Sequence, residues 1–143
     1  MSLPAAHIAS ALCAAPADRT FRHLTTAQGF RGWCLGMMDC TDEGQGLLRG
    51  RSLFDGSEAW VRVETMPEKF MVDYWCGASR DTLMLRIHAR VVPGPTLGHA
   101  EGTCLATLIA WRPAGMADER WQRLMTSHET EILLVRDQVA RTQ

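Results

Sequence analysis

The amino-acid sequence predicts an α+β fold, in which a curved seven-stranded antiparallel sheet wraps around one long C-terminal helix and two short helices follow strand 1. Three observations predict it: a long amphipathic stretch near the end of the chain, six strand-like runs between residues 34 and 111, and helical spacing after Pro16. A chain of 143 residues is long enough for one domain with one core, so we expect a single domain over residues 1–143.

The segment from Met116 to Val139 is typical of a long helix with one buried face. At about 100° per residue, its apolar side chains and one histidine fall in a single stripe. The stripe consists of Trp121, Leu124, Met125, His128, Ile132, Val135 and Val139. Ordering the helix costs about 1 to 2 kcal/mol per residue in backbone entropy, and burying each large apolar side chain returns roughly 1.5 to 3 kcal/mol. The helix therefore needs a broad apolar surface, which the rest of the chain must supply.

The opening of the chain predicts one strand and two short helices. His7 to Ala14 is a short apolar run between prolines, which favours a strand. Pro16 suits the start of a helix because its missing N–H would be unsatisfied there anyway. Thr25 or Thr26 can cap a second helix that reaches Trp33.

Turn residues divide the middle of the chain into strands, and two of them alternate clearly enough to assign faces. In the first, the faces are Ala59, Val61 and Val63 against Trp60, Arg62 and Glu64. In the second, Leu83, Leu85, Ile87, Ala89 and Val91 are predicted to face the core, opposite Met84, Arg86, His88 and Arg90. For residues 70–76, the face with Phe70, Val72 and Tyr74 is the better inward prediction. Cys104 to Trp111 is apolar on both faces and receives no orientation.

The composition argues against several classes of function. Fifteen basic and sixteen acidic residues give a net charge of −1 without charged blocks, so nucleic acid is not an expected partner. Five cysteines with no C-x-x-C spacing argue against a disulfide framework and a zinc knuckle, and favour a reduced compartment. No segment reaches the roughly 18 apolar residues that a membrane span needs. We therefore expect a cytoplasmic protein.

Particular residues at both ends of the chain resemble a known superfamily. The first part of the chain resembles the strand-to-helix opening of that superfamily. The residues that carry this likeness are Ala15-Pro16-Ala17-Asp18, then Phe21 and Leu24, and then Thr25-Thr26 through Phe30 to Trp33. Trp121, three residues before Leu124 and followed by His128 and Glu131, resembles its closing helix. The chain is thereby similar to the START-like (SRPBCC) superfamily, whose helix-grip fold is shared by lipid-transfer START domains, birch-pollen-type allergens, aromatic polyketide cyclases and heat-shock-chaperone ATPase activators. Within it, the chain most resembles the bacterial activator-like and cyclase-like members.

The resemblance implies a cavity between sheet and closing helix, and it directs attention to the large side chains that could line it. Tryptophan and methionine are unusually frequent, and such residues suit an apolar pocket, although plain core filling explains any one of them. The predicted ligand-binding residues are Trp33, Met38, Val61, Tyr74, Leu85, Trp121, Met125 and His128.

His128 is the sharpest candidate because it lies within the apolar stripe, where an imidazole needs a hydrogen-bond partner or a ligand. One interpretation is a core histidine satisfied by a backbone carbonyl or by Tyr74, and the other is a functional group that positions a ligand or moves protons. Glu129 and Glu131 are interpreted as a solvated rim. Arg62, Arg86 and Arg90 are interpreted as outward surface charge or a partner-binding stripe.

No other chemistry is predicted from the residue pattern. The five histidines are dispersed, so no metal site and no cofactor are expected. Ser127 and His128 lie about 100° apart on a helix and do not face each other, and no catalytic residue is assigned.

Three hypotheses for the function remain. The first is binding of a small hydrophobic or amphipathic ligand in the cavity. The second is a cyclase, dehydratase or isomerase that acts on a polyketide-like or aromatic substrate. The third is a protein-interaction module that resembles the chaperone activators. Separately from these functions, a homodimer is a possible oligomeric state.

Overall fold

The computed structural model describes residues 2–141 and confirms the predicted α+β helix-grip architecture. One curved antiparallel sheet has the strand order β1-β7-β6-β5-β4-β3-β2. Its strands are β1 (Ala6–Cys13), β2 (Met38–Asp42), β3 (Leu47–Arg51), β4 (Glu58–Met66), β5 (Met71–Gly77), β6 (Met84–Pro93) and β7 (Cys104–Trp111). The helices are α1 (Ala17–Thr25), α2 (Ala27–Trp33) and α3 (Asp118–Arg141), and short 3₁₀ turns follow β4 and β6.

The two short helices form a tight corner after β1. Helix α1 begins directly after Pro16, and Thr26 is the N-cap of α2, where its hydroxyl accepts a hydrogen bond from the Gly29 N–H at 3.2 Å. A Cβ atom on Gly29 would lie 1.9 Å from the carbonyl oxygen of His23. Gly29 therefore allows the close approach of α2 to α1.

The sheet buries one face and exposes the other. On β7 the inward residues are Cys104, Ala106, Leu108 and Ala110, and all four are almost fully buried. The register pairs Cys104 with Cys13 and Ala110 with His7 across the β1–β7 ladder. Burial thus gives β7 the orientation that its sequence, apolar on both faces, leaves undecided.

A β-bulge in β6 interrupts the predicted alternation. Tyr74 pairs with Ile87, and the next residue of β5, Trp75, pairs with Leu85, so Arg86 is an extra residue without a partner opposite it. Paired residues share a face of the sheet. Leu85 therefore lies with Trp75 on the outer face, and Arg86 turns inward. This bulge corrects the outward assignment of Met84 and Arg86 and the inward assignment of Leu85.

Helix α3 is anchored to two separate groups of core side chains. Its C-terminal half buries Ile132, Val135 and Val139 in the large core cluster that β1, α1, α2 and the sheet share. Near its N-terminal end, Trp121 packs in a second cluster with Ala110 and Met116. The indole N–H of Trp121 donates to the carbonyl of Pro4 at 2.8 Å. The middle of α3 lies between these two anchors.

Two further properties bear on the predicted class of protein. No helix within residues 2–141 is both long and apolar enough to cross a membrane. All five cysteines are free thiols.

We predict that Gly29→Ala destabilises the protein by about 1 to 3 kcal/mol or more, because the added methyl group overlaps the backbone of α1 and forces the two helices apart. Chemical denaturation measures this free energy of unfolding. Gly36→Ala is the matched control, since no atom lies within 4 Å of its added Cβ, and it should stay within about 0.5 kcal/mol of the wild type. Equal stabilities of the two variants would contradict the prediction.

Candidate functional site

A cavity of about 680 Å³ lies between the inner face of the sheet and the middle of α3. Its volume falls in the range of small-molecule sites. The exposed part of the lining comes from three loops, β3–β4, β5–β6 and β7–α3, which surround its mouth. The rest of the lining comes from α2, β4, β5, β6, β7 and α3.

Aromatic rings form one wall of the cavity, and their polar atoms are satisfied outside it. The rings of Phe30 and Trp33 lie 4.9 Å apart, and that of Tyr74 lies 5.7 Å from Phe30. The indole N–H of Trp33 donates to the His23 carbonyl at 3.0 Å, and the Tyr74 hydroxyl donates to the Leu24 carbonyl at 2.7 Å. The wall therefore presents carbon to the cavity, because both hydrogen bonds point into α1.

His128 and Glu131 face the cavity from the middle of α3. Both are buried, at 4% exposure each. The backbone N–H of Leu35 donates to Oε2 of Glu131 at 2.8 Å, which ties α3 to the segment between α2 and β2. Nε2 of His128 lies 3.8 Å from Oε1 of Glu131, which is too long for a hydrogen bond, and Nδ1 of His128 has no partner among the described residues.

Burial shifts these two groups in opposite directions. Desolvation lowers the pKa of His128 to about 4, and the nearby charges of His7 and Arg86 act in the same direction. Desolvation raises the pKa of Glu131 to about 8, against the hydrogen bonds from Leu35 and Cys34. Near pH 7 the site thus holds a neutral imidazole and a protonated carboxyl group, and the two do not form an ion pair.

Arg86 brings a cation to the same site through the bulge in β6. It lines the cavity, and with His128 it also lines a small void of about 20 Å³ beside it. Its Nε is shielded from solvent and has no hydrogen-bond partner among the described residues. Arg86 as a whole is half-buried, and its Nε lies in the interior.

The two thiols of the cavity stay protonated at neutral pH. Burial raises the pKa of Cys34 well above its usual value, and burial also raises the pKa of Cys76. Neither thiol is activated as a nucleophile. Within residues 2–141 no group of three or more histidine, cysteine, aspartate or glutamate side chains is arranged to hold a metal ion.

The structure brings four of the predicted site residues together at the cavity and places four elsewhere. Trp33, Val61, Tyr74 and His128 line the cavity, and Met38, Leu85, Trp121 and Met125 do not. Met37, one residue before Met38, occupies the lining instead.

Each of the four displaced residues has a physical reason for its position. Leu85 follows the bulge to the outer face, and Met38 lies at an irregularity of β2, where Asp39 adopts a positive φ of 56°. Trp121 and Met125 belong to the second core cluster. They fix one end of α3 beside the cavity.

The sequence pattern predicts a surface position for two charged residues that the structure places at the site. Glu131 is buried, so its interpretation as a solvated rim is wrong, whereas Glu129 is largely exposed and lies 2.9 Å from His7. Glu131 lies about 60° from His128 around the helix, no farther than Met125 on the other side, so the helical stripe itself could have indicated it. No such signal in the sequence indicates that Arg86 faces the cavity, because the alternation of apolar and polar residues along a strand does not reveal a bulge.

We predict that the free energy of unfolding falls by about 2 kcal/mol between pH 6.5 and 8.5 because of Glu131. The pKa of Glu131 is raised on folding, so its contribution is complete below about pH 4.5 and is lost as the pH rises to about 8. His128 acts oppositely, since its lowered pKa costs stability only as the pH falls from 6.5 to about 4. Chemical denaturation at several pH values measures the free energy of unfolding across both pH ranges.

Glu131→Gln should abolish the loss above pH 6.5, because the amide oxygen can accept the Leu35 N–H bond and does not titrate. Glu129→Gln is the control, since Glu129 is the adjacent exposed acid, and it should keep the slope of the wild type. An unchanged slope in Glu131→Gln would refute this assignment.

Comparison with known proteins gives similarity in structure only. No protein-family model matches the chain, and no curated protein sequence does. The Aha1 dimer from Colwellia psychrerythraea has a TM-score of 0.69 at 17% identity, over 96% of this chain and 98% of that one. The di-domain ARO/CYC protein BexL from the BE-7585A biosynthetic pathway has a TM-score of 0.69 at 18% identity, over 94% of this chain and 46% of BexL.

A START superfamily protein from Mycobacterium smegmatis has a TM-score of 0.58 at 11% identity, over 90% of this chain and 97% of that one. Identities this low show the fold and leave the activity open. The chain adopts the helix-grip fold of the START-like (SRPBCC) proteins, as its resemblance to that superfamily predicts.

Proposed function

We propose that the protein binds a small apolar or amphipathic molecule in the cavity between the sheet and α3. The observation that carries the proposal is the cavity of about 680 Å³ whose aromatic wall turns its polar atoms away from the enclosed space. Such a surface is poorly hydrated and favours contact with carbon over contact with water. The helix-grip fold supports the proposal at the level of architecture.

Trp33, Val61 and Tyr74 are the proposed contacts for the apolar part of the ligand, and His128 is the proposed polar contact. Nδ1 of His128 suits this role because it has no partner among the described residues. We assign residues 1–143 to one START-like domain. The free cysteines support a reduced, cytoplasmic location. The dimeric Aha1 structure supports a homodimer, which light scattering would test on the same preparation.

We predict that at least one member of a panel of aromatic, fatty-acid and polyketide-like compounds binds in isothermal titration calorimetry, and that Ala59→Trp weakens its binding about tenfold or more. Ala59 lines the cavity from β4, so an indole there takes up the space of the ligand. Ala6→Trp is the matched control on the exposed part of β1 and should leave affinity unchanged. A panel without any binding compound would contradict the proposal.

A proton-transfer enzyme is the second candidate, because two groups with oppositely shifted pKa values face one cavity. The neutral imidazole of His128 can accept a proton from a bound ligand, and the protonated carboxyl group of Glu131 can donate one. This pair suits cyclisation, dehydration or isomerisation of a carbonyl compound. The fold shared with the ARO/CYC protein BexL is compatible with such chemistry.

We predict that, if the pair is catalytic, the protein accelerates hydrogen exchange at the acidic C–H of an aryl 1,3-diketone, followed by NMR in D₂O. His128→Gln and Glu131→Gln should each slow this exchange by about 10²- to 10⁴-fold with little change in affinity. Glu129→Gln should retain the wild-type rate. Exchange at the buffer rate in the wild type would exclude this function and leave ligand binding untouched.

A further inference from the structure

Arg86 is a cation that the bulge in β6 places inside the cavity, and the described part of the chain gives it no counter-charge. No carboxylate of residues 2–141 forms an ion pair with it. Its Nε is shielded from solvent and makes no hydrogen bond among these residues. By contrast, Arg90 on the same strand is exposed on the outer face.

The acids that line the cavity do not neutralise Arg86. Asp55 accepts hydrogen bonds from the backbone N–H and the hydroxyl of Ser57, at 2.9 and 2.6 Å. Glu58 accepts the indole N–H of Trp60 at 3.0 Å, and both carboxylates lie at the exposed mouth. Glu131 is the acid of the buried lining, and its raised pKa keeps it protonated near pH 7. The interior of the cavity is therefore positive.

A guanidinium that is partly removed from water loses part of its favourable free energy of hydration. Hydrogen bonds to an anion of matching geometry offset this loss. The planar fork of N–H donors of a guanidinium fits the two oxygens of one carboxylate through parallel hydrogen bonds. The aromatic wall is carbon, from Trp33, Tyr74 and Val61. Arg120 and Arg123 also line the cavity from α3, but both are exposed. Charge and shape together thus describe a ligand with one anionic end and an apolar body.

We propose that the ligand of this cavity is a hydrophobic carboxylic acid whose carboxylate pairs with the Arg86 guanidinium while its carbon skeleton lies against the aromatic wall. The inference rests on the proposed function, and it adds the class of ligand and the residue that selects it. Arg86 is the specificity-determining residue in this scheme. His128, which lines the cavity and the adjoining small void together with Arg86, lies beside the bound carboxylate.

The test compares acids with their methyl esters, because an ester keeps the carbon skeleton and removes the charge. Naphthalene-2-carboxylic acid and dodecanoic acid, each paired with its methyl ester, are titrated into the full chain at pH 7 by calorimetry. We expect the wild type to bind an acid about tenfold or more tightly than its ester. Arg86→Met should reduce this preference to about twofold or less and leave ester affinity within about threefold. Arg90→Met is the matched control and should keep the full preference.

The outcomes separate this inference from the function on which it rests. Equal affinity of acid and ester in the wild type would overturn the carboxylate assignment and leave ligand binding intact. An acid preference that survives in Arg86→Met would overturn the role of Arg86. Absence of binding of all four compounds and of the wider panel would instead refute the cavity as a ligand site. If Arg86→Met does not fold, Arg86→Lys replaces it in the test, because lysine keeps the positive charge and lacks the planar pair of N–H donors. An undiminished acid preference in Arg86→Lys would contradict bidentate pairing.

Discussion

Helix α3 is held by apolar contacts at its two ends, and the cavity exists because side chains do not fill the space beneath its middle. Protein interiors are normally packed as densely as organic crystals, and unfilled volume costs stability. Here Ile132, Val135 and Val139 anchor one end of the helix, and Trp121 anchors the other. Each large buried side chain contributes roughly 1.5 to 3 kcal/mol, so the anchors together offset the loss of contacts between them.

The hydrogen bond from Leu35 to Glu131 acts within this frame. It fixes the middle of α3 to the corner between α2 and β2 without occupying the cavity. Glu131 thus has a structural role, as an acceptor for a buried N–H, alongside the chemical role of a protonated acid in an apolar space. Nδ1 of His128 has no hydrogen-bond partner within residues 2–141, and the hydroxyl of Tyr74, one partner considered for it, donates to Leu24 instead.

Most of the fold could be predicted from the sequence because helices and strands leave periodic patterns. The stripe of α3 and the cap at Thr26 follow from local chemistry, and the structure confirms them. The cavity needed more than local chemistry. Arg86 and Leu85 exchange faces because of an unpaired residue opposite β5, and Met37 replaces Met38 next to an irregularity in β2. Such one-residue shifts depend on pairing between strands, which a single strand's pattern does not record.

The bulge in β6 has a consequence for how such a cavity changes in evolution. Tyr74 faces Ile87 and Trp75 faces Leu85, so the ladder continues on both sides as if Arg86 were absent. Loss or gain of that one codon would leave every flanking side chain on its present face and every neighbouring strand in register. The charge of the cavity can thus change while the fold of the sheet stays the same. A lineage can add or discard a cation that faces the cavity by a change in length, without first rebuilding the core.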